Sequence, residues 1–195
     1  MSAPATVAVI VLAGGRSARF GRDKLAEPLE GRPLLDHVID AARRLTAEVL
    51  VVVAPGSRPV VPDGVLVVHD ERAFEGPLAG VAAGLAATAA DIVVVLAGDM
   101  PAIVPGVLRR LVAALDATGA DAAVLEVGDD RPPLPMALRR SAAATLANAL
   151  LADGQRRLRA LPDGLQPTPV PERDWRREDP GGASLLDIDT PADLP

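Results

Sequence analysis

No cysteine occurs in the 195 residues. Disulfides, Cys-ligated zinc, iron–sulfur clusters and thiol nucleophiles are therefore excluded, and a reducing compartment is the default. Aromatic residues make up only 2% of a chain that is 49% hydrophobic, so its core must be built from Val, Leu, Ile and Ala. Positive charge is in the minority: 20 Lys and Arg against 26 Asp and Glu give a formal net charge of -6 and a pI near 4.9. A net negative surface does not attract polyanions, which argues against a nucleic-acid or acidic-membrane partner. The apolar run at Val7–Leu12 falls well short of the ~18 residues that suggest a membrane span. No basic segment precedes that run, so it reads as a buried strand of a cytoplasmic protein.

What is present has a clear order. The length fits one domain over residues 1–195, on a scale of roughly 100–200 residues per domain. Val7 to Leu12 lacks polar alternation and fits a strand covered on both faces. Pro33 opens a predicted amphipathic helix running to Leu45, and Glu48 to Val53 repeats the buried-strand pattern. Val65 to Val68 is a third strand, ending at His69 and Asp70. EGPLAGVAAGLAATAA reads as a helix opening on glycine, and Ile92 to Leu96 as a central strand before a helix around Val107 to Ala117. Further on, DAAVLEV predicts a strand, SAAATLANALLA a helix and GQRRLRALP a short basic helical turn. Ser184 to Ile188 predicts a last strand, with Thr190 capping a helix opened by Pro191. Alternating strands and helices predict an α/β three-layer sandwich with a mostly parallel, Rossmann-like sheet. Its ligand site belongs at the carboxyl ends of the strands.

Four stretches carry chemistry. LAGGRSARFGRDK, Leu12 to Lys24, gathers three glycines, three arginines and a lysine directly after a strand. Glycines there let backbone N–H groups face a phosphate, and the basic residues that follow can neutralise it. The spacing fits neither a Walker A loop nor a G-x-G-x-x-G dinucleotide fingerprint. In AGDMP, Ala97 to Pro101, a carboxylate follows an apolar strand and needs a partner or an exit. At the strand's carboxyl end Asp99 can meet Mg2+, a hard cation suited to one or two carboxylates with phosphate oxygens and water. GPLAG, Gly76 to Gly80, would let a flat base lie close against backbone. In DIDTPADL, Asp187 and Asp189 lie on one side of an extended segment and could converge on metal or phosphate.

The first string resembles the signature of nucleotidyltransferases with a Rossmann-like fold, carried here by Leu12, Ala13, Gly14, Gly15, Arg19 and Lys24. With Phe20-Gly21 and Asp23-Lys24 it is most similar to the molybdenum cofactor guanylyltransferase family, as is the combination of L-A-G-G with G-P-L-A-G. The resemblance implies the nucleotide-diphospho-sugar transferase type of fold. It implies GMP transfer from GTP to molybdopterin-bound molybdenum cofactor with Mg2+, and transient cofactor-delivery partners. Leu12, Ala13, Gly14, Gly15, Lys24, Asp70, Gly80 and Asp99 are then the nucleotide-binding residues. Arg19, Lys24 and Asp99 are the catalytic ones, and Asp99, with Asp189 as a second candidate, holds the metal.

Two departures matter. The family often has asparagine where Asp187 and Asp189 stand, and commonly one after the second buried strand, where this chain has Ala54-Pro55-Gly56. These keep open a cytidylyltransferase, or another small-substrate nucleotidyltransferase, on the same scaffold. A non-catalytic nucleotide-binding module is the remaining alternative, although binding alone does not need both Lys24 and Asp99. Basic residues at Arg131 to Arg140 and Gln155 to Arg159 could attract the acceptor phosphate. His37 reads as structural, His69 either orients its neighbour Asp70 or packs at a strand end, and Trp175 reads as an anchor for the Pro-rich tail rather than a pterin platform. The serines Ser17, Ser141 and Ser184 lack a convincing base for nucleophilic chemistry.

Overall fold

A computed structural model describes residues 4–14, 24–70 and 76–188. The expected strand order of events holds from the start: β1 spans Val7–Leu12, followed by a 3-10 turn at Lys24–Ala26 and a two-residue ribbon, β2 Pro28–Leu29 with β3 Arg32–Pro33. Helix α1, Leu34–Arg43, starts just after Pro33 and buries Leu34, Leu35, Val38 and Ile39. Next come β4 (Glu48–Val53), β5 (Leu66–His69), α2 (Pro77–Ala86), β6 (Ile92–Ala97) and α3 (Pro105–Thr118). The second half holds β7 (Ala122–Leu125), β8 (Met136–Arg139), α4 (Arg140–Ala152), α5 (Ala160–Gly164), β9 (Thr168–Val170) and α6 (Glu172–Trp175).

Seven strands form one sheet in the order β5-β4-β1-β6-β8-β7-β9. Four of its pairings are parallel and two antiparallel, both of the latter made by β8. The mostly parallel sheet expected from the sequence is therefore what forms. β8 reverses because it follows β7 through a ten-residue connection without a helix, too short for the crossover that parallel neighbours need.

The sandwich follows from the period of a strand. Val9 and Val11 face a core shared with α1, α3 and Trp175, whereas Ala8 and Ile10 face one shared with α2, α4 and α5. β4 and β6 divide in the same way, Val49, Val51 and Val53 against Leu50 and Val52, and Ile92, Val94 and Leu96 against Val93 and Val95. Each fully buried Val, Leu or Ile contributes about 1.5–3 kcal/mol relative to exposure, so strands apolar at every position belong at the centre. Helix packing is close: a β-carbon added at Gly84 of α2 would lie 2.6 Å from Cδ1 of Ile10. Among the described residues no helix is long and apolar enough to cross a membrane.

Beyond Ala160 the reading needs correction. Ser184 to Ile188 is not a strand: Ala183–Leu185 is a 3-10 turn, and an extended but unladdered run follows. Bonds donated by the Ala183 and Ser184 N–H groups to the Asp179 carboxylate fold this segment into a turn, which its short apolar pattern does not reveal. Among the described residues the last sheet strand is instead β9, whose Pro169 is accommodated at the sheet edge beside β7. Thr190 and Pro191 lie outside the described residues.

Candidate active site

From β1 the chain builds β4 and β5 on one flank, then crosses to β6 on the other, so the switch point of the sheet lies between β1 and β6. In open α/β sheets that crevice, at the carboxyl ends of the strands, is where ligands bind. The loops leaving β1 and β6 carry the two main motifs. Leu12 pairs in register with Ala97, and the Gly98 N–H donates to the Leu12 carbonyl at 2.9 Å.

Two glycines set how closely these loops approach. A β-carbon at Gly14 would lie 3.2 Å from the Ala54 nitrogen, so the first loop hugs the end of β4. One at Gly98 would lie 3.1 Å from Leu25 Cδ1 and 3.3 Å from the Leu12 carbonyl oxygen. Leu25 therefore packs down on Gly98, and its neighbour Lys24 is carried over Asp99. The Lys24 ammonium donates to Asp99 Oδ2 at 2.8 Å, with the side chains 12% and 26% exposed. Residues 75 positions apart thus meet in one partly shielded ion pair.

The pair opens onto a cavity of about 700 Å3 lined by Leu12, Gly14, Asp70, Gly80, Leu134 and Leu158 among others. Such a volume suits a small organic ligand. Asp70 enters because its N–H bonds the Val53 carbonyl at 2.9 Å, which extends the β4–β5 ladder to the cavity rim. Gly76 precedes α2 with φ 90 and ψ 172, and no side chain caps that helix N-terminus. At Gly80 a β-carbon would come within 3.3 Å of Leu12 Cδ2, so α2 lies tight on the sheet beside the cavity.

Most sequence-nominated residues converge here: Leu12, Gly14, Lys24, Asp70, Gly80 and Asp99. Gly15, Arg19 and Asp189 lie outside the described residues. Ala13 differs from expectation, because its N–H is engaged by the Val52 carbonyl at 2.7 Å and closes the sheet instead of facing a phosphate. The tail motif does reach the site: the Ile188 N–H donates to the Asp99 carbonyl at 2.9 Å, while Asp187 is exposed. Among the described residues no three His, Cys, Asp or Glu side chains cluster as a metal cage. The cavity-lining carboxylate of Asp99 fits a magnesium ion that takes its remaining ligands from phosphates and water.

Other candidates fall away. Arg139 donates to the carbonyls of Ala120 and Leu115, and Arg140 to that of Ala90. Arg139 pairs with Ile92, at the opposite end of β6 from Asp99, so the two arginines cannot attract an acceptor phosphate. His37 bonds the Leu29 carbonyl and His69 that of Ser57. Trp175 is fully buried, donates to the Glu126 carbonyl at 2.9 Å and lies under Arg176, so it anchors the tail. The basic segment enters through its apolar member: Leu158 lines the cavity and the Arg156 carbonyl abuts Gly76. Leu25, Leu134 and Leu158 are not legible as site residues in the sequence, where an isolated leucine carries no signal of its own.

A glycine-lined crevice at the switch point, with a lysine and a carboxylate at its mouth, defines a nucleotidyltransferase of the nucleotide-diphospho-sugar transferase type. Comparison with known proteins agrees. The chain belongs to the MobA-like NTP transferase domain family, whose model matches residues 9–168. It is 36% identical over 190 residues to a probable molybdenum cofactor guanylyltransferase of Chloroflexus aggregans, covering 95% of this chain and 90% of that one. Among solved structures it superposes on molybdopterin-guanine dinucleotide biosynthesis protein A of Archaeoglobus fulgidus with a TM-score of 0.80 at 27% identity, covering 95% and 94% of the two chains. The cytidylyltransferase acting on 2-C-methyl-D-erythritol 4-phosphate from Thermus thermophilus shares the fold, with a TM-score of 0.69 at 20% identity over 95% and 94% of the chains.

Proposed function

We propose that this protein transfers GMP from GTP to molybdopterin-bound molybdenum cofactor, with Mg2+ as cofactor, forming the guanine dinucleotide cofactor and pyrophosphate. The observation that carries the reading is the meeting of Lys24 and Asp99 at the mouth of the glycine-lined cavity. An oxygen of the acceptor's terminal phosphate attacks the α-phosphorus of GTP, and the bond from that phosphorus to the β-bridging oxygen breaks. The acceptor is already an anion, so no strong general base is required. Positioning and charge do the rest.

Gly14 lets the first loop lie close on the end of β4 at the cavity wall, and Lys24 exchanges its carboxylate partner for the departing pyrophosphate. Arg19, from the same motif, adds positive charge to that leaving group. Asp99 and the triphosphate would hold Mg2+, which supplies charge neutralisation at the α-phosphate. Gly80, Asp70 and the start of α2 flank the space for the nucleoside, where a carboxylate can accept from guanine N–H groups or ribose hydroxyls. The guanine assignment is supported by the L-A-G-G and G-P-L-A-G pair and by the relative from Chloroflexus aggregans.

The test is pyrophosphate release from purified protein with molybdopterin and Mg2+, GTP and CTP competing in one reaction. Preference for GTP is expected. A preference for CTP would transfer the assignment to the cytidylyl branch, to which Asp187 and Asp189 are also suited; no turnover with either would overturn the reaction.

A further inference from the structure

The loop that carries Asp99 is tied at both ends to one distant segment. At its start the Asp99 carbonyl accepts from the Ile188 N–H at 2.9 Å; at its end the Val104 N–H donates to Ser184 Oγ at 3.0 Å. As the loop advances from Asp99 to Val104 its partner retreats from Ile188 to Ser184, so the segment lies antiparallel along it as a strap. Ser184 is fully buried and Asp179 only 4% exposed. The Asp179 carboxylate fixes the strap's shape, since Oδ1 accepts from the Ala183 N–H at 3.0 Å and Oδ2 from the Ser184 N–H at 2.7 Å. Ser184 therefore joins carboxylate and loop, its N–H held by the carboxylate and its Oγ holding the loop at Val104. Upstream, buried Trp175 and a side chain at Glu178 that leaves no room for a β-carbon at Gly106 hold the strap against the start of α3.

We propose that Ser184 and Asp179 are positioning residues, which set through the strap the placement of the Asp99 carboxylate against Lys24 and the bound metal–nucleotide. A tail anchor alone would need only the packing of Trp175; bonds to both ends of the Asp99 loop are what a device for aligning that carboxylate requires. The inference rests on the reading of Asp99 as the metal-bearing group. Ser184→Ala removes the acceptor for the Val104 N–H while leaving the apolar packing in place.

In the full-length protein, Ser184→Ala is expected to lower kcat about tenfold and to raise the Mg2+ concentration for half-maximal activity by a similar factor, as losses behind a metal ligand do. KM for the nucleotide at saturating Mg2+ should stay within about twofold, because the nucleoside side of the cavity is untouched. Mn2+ binding in the presence of GTP, followed by electron paramagnetic resonance, should weaken without any turnover being measured. Leu115→Ala, buried ten residues further along α3, destabilises the same helix and should leave the metal requirement unchanged when assayed below its Tm. Equal metal requirement and Mn2+ affinity in Ser184→Ala and wild type would overturn the strap, as would an equal defect in Leu115→Ala. Wild-type protein that binds Mn2+ with GTP but transfers nothing would sink the proposed reaction, and the Mn2+ comparison would still decide the strap.

Discussion

Replacing Gly76 with alanine isolates the contact on which one wall of the cavity depends. With φ 90 and ψ 172 the residue occupies a region that side chains other than glycine's hardly enter, at a cost of about 1–3 kcal/mol. A β-carbon would also lie 2.8 Å from the Arg156 carbonyl oxygen and 3.3 Å from Arg156 Cβ. The obstruction is backbone, and Arg156 is held by bonds from its guanidinium to the carbonyls of Leu151 and Gln155, each 3.0 Å. Forcing an extra carbon into packed structure adds about 1–3 kcal/mol, for a total of about 2–6 kcal/mol. At roughly 2–4 °C per kcal/mol for a chain of this size, Tm should fall by at least about 4 °C.

Gly119 provides the contrast, having φ 70 at the end of α3 with nothing within 4 Å of an added β-carbon. Gly119→Ala should cost only the left-handed backbone strain, about 1–2 kcal/mol. Thermal and urea melts of both variants, together with GTP affinity by calorimetry, make the assay. Any yielding of Arg156 displaces Leu158, two residues on in the cavity wall, so affinity should drop in Gly76→Ala and not in Gly119→Ala. If Gly76→Ala melts with or above Gly119→Ala, the close approach of the two loops is not what the structure says it is.

The other expectations concern the ion pair, the helix seat and the buried carboxylate. Lys24→Met should reduce kcat by about 100- to 1000-fold, the usual loss for a group that stabilises developing charge, and Asp99→Asn should abolish metal-dependent turnover with the fold retained by circular dichroism. The double variant should melt higher than the sum of the single losses predicts, because the two side chains interact directly in a partly buried site. Gly84→Ala should lower Tm by a few degrees even though alanine favours helix by about 1 kcal/mol, since the clash with Ile10 outweighs the propensity. Burial tends to raise the Asp179 carboxyl, but bonds from the Ser184 N–H and hydroxyl and from the Ala183 and Gly182 N–H groups outweigh it and hold the group below the ordinary aspartate range. A carboxyl depressed on folding stabilises above its unfolded value of about 3.9 and loses that contribution as pH falls through the folded one. The gap in urea stability between wild type and Asp179→Asn should thus be full at neutral pH and close below about pH 4; a gap that persists unchanged into acid would refute it.

Local pattern was enough for much of this molecule. Val7–Leu12, Glu48–Val53 and Ile92–Ala97 are apolar at nearly every position, and only strands buried on both faces tolerate that, so chain and sheet centre could be read together. The glycines of the first loop, the carboxylate after β6 and the Gly76-Pro77 helix start were legible because each is unusual for its local setting. Helix ends were less so: α1 stops at Arg43, two residues short of Leu45, where fraying and capping compete within a few tenths of a kcal/mol.

What the sequence determined unaided is the set of elements and the chemistry standing at their ends, because strand and helix periodicity and glycine's conformational reach act within a few residues. The tertiary structure alone decided which ends meet. It drew Lys24 onto Asp99 through Leu25 and Gly98, and turned Arg139 and Arg140 to carbonyls at the far end of the sheet. It brought Leu134 and Leu158 into the cavity, and folded Ser184 into a buried turn that grips the Asp99 loop. Those contacts arise from strand order and register across scores of residues, where packing of two whole layers, rather than any local preference, sets the lowest free energy.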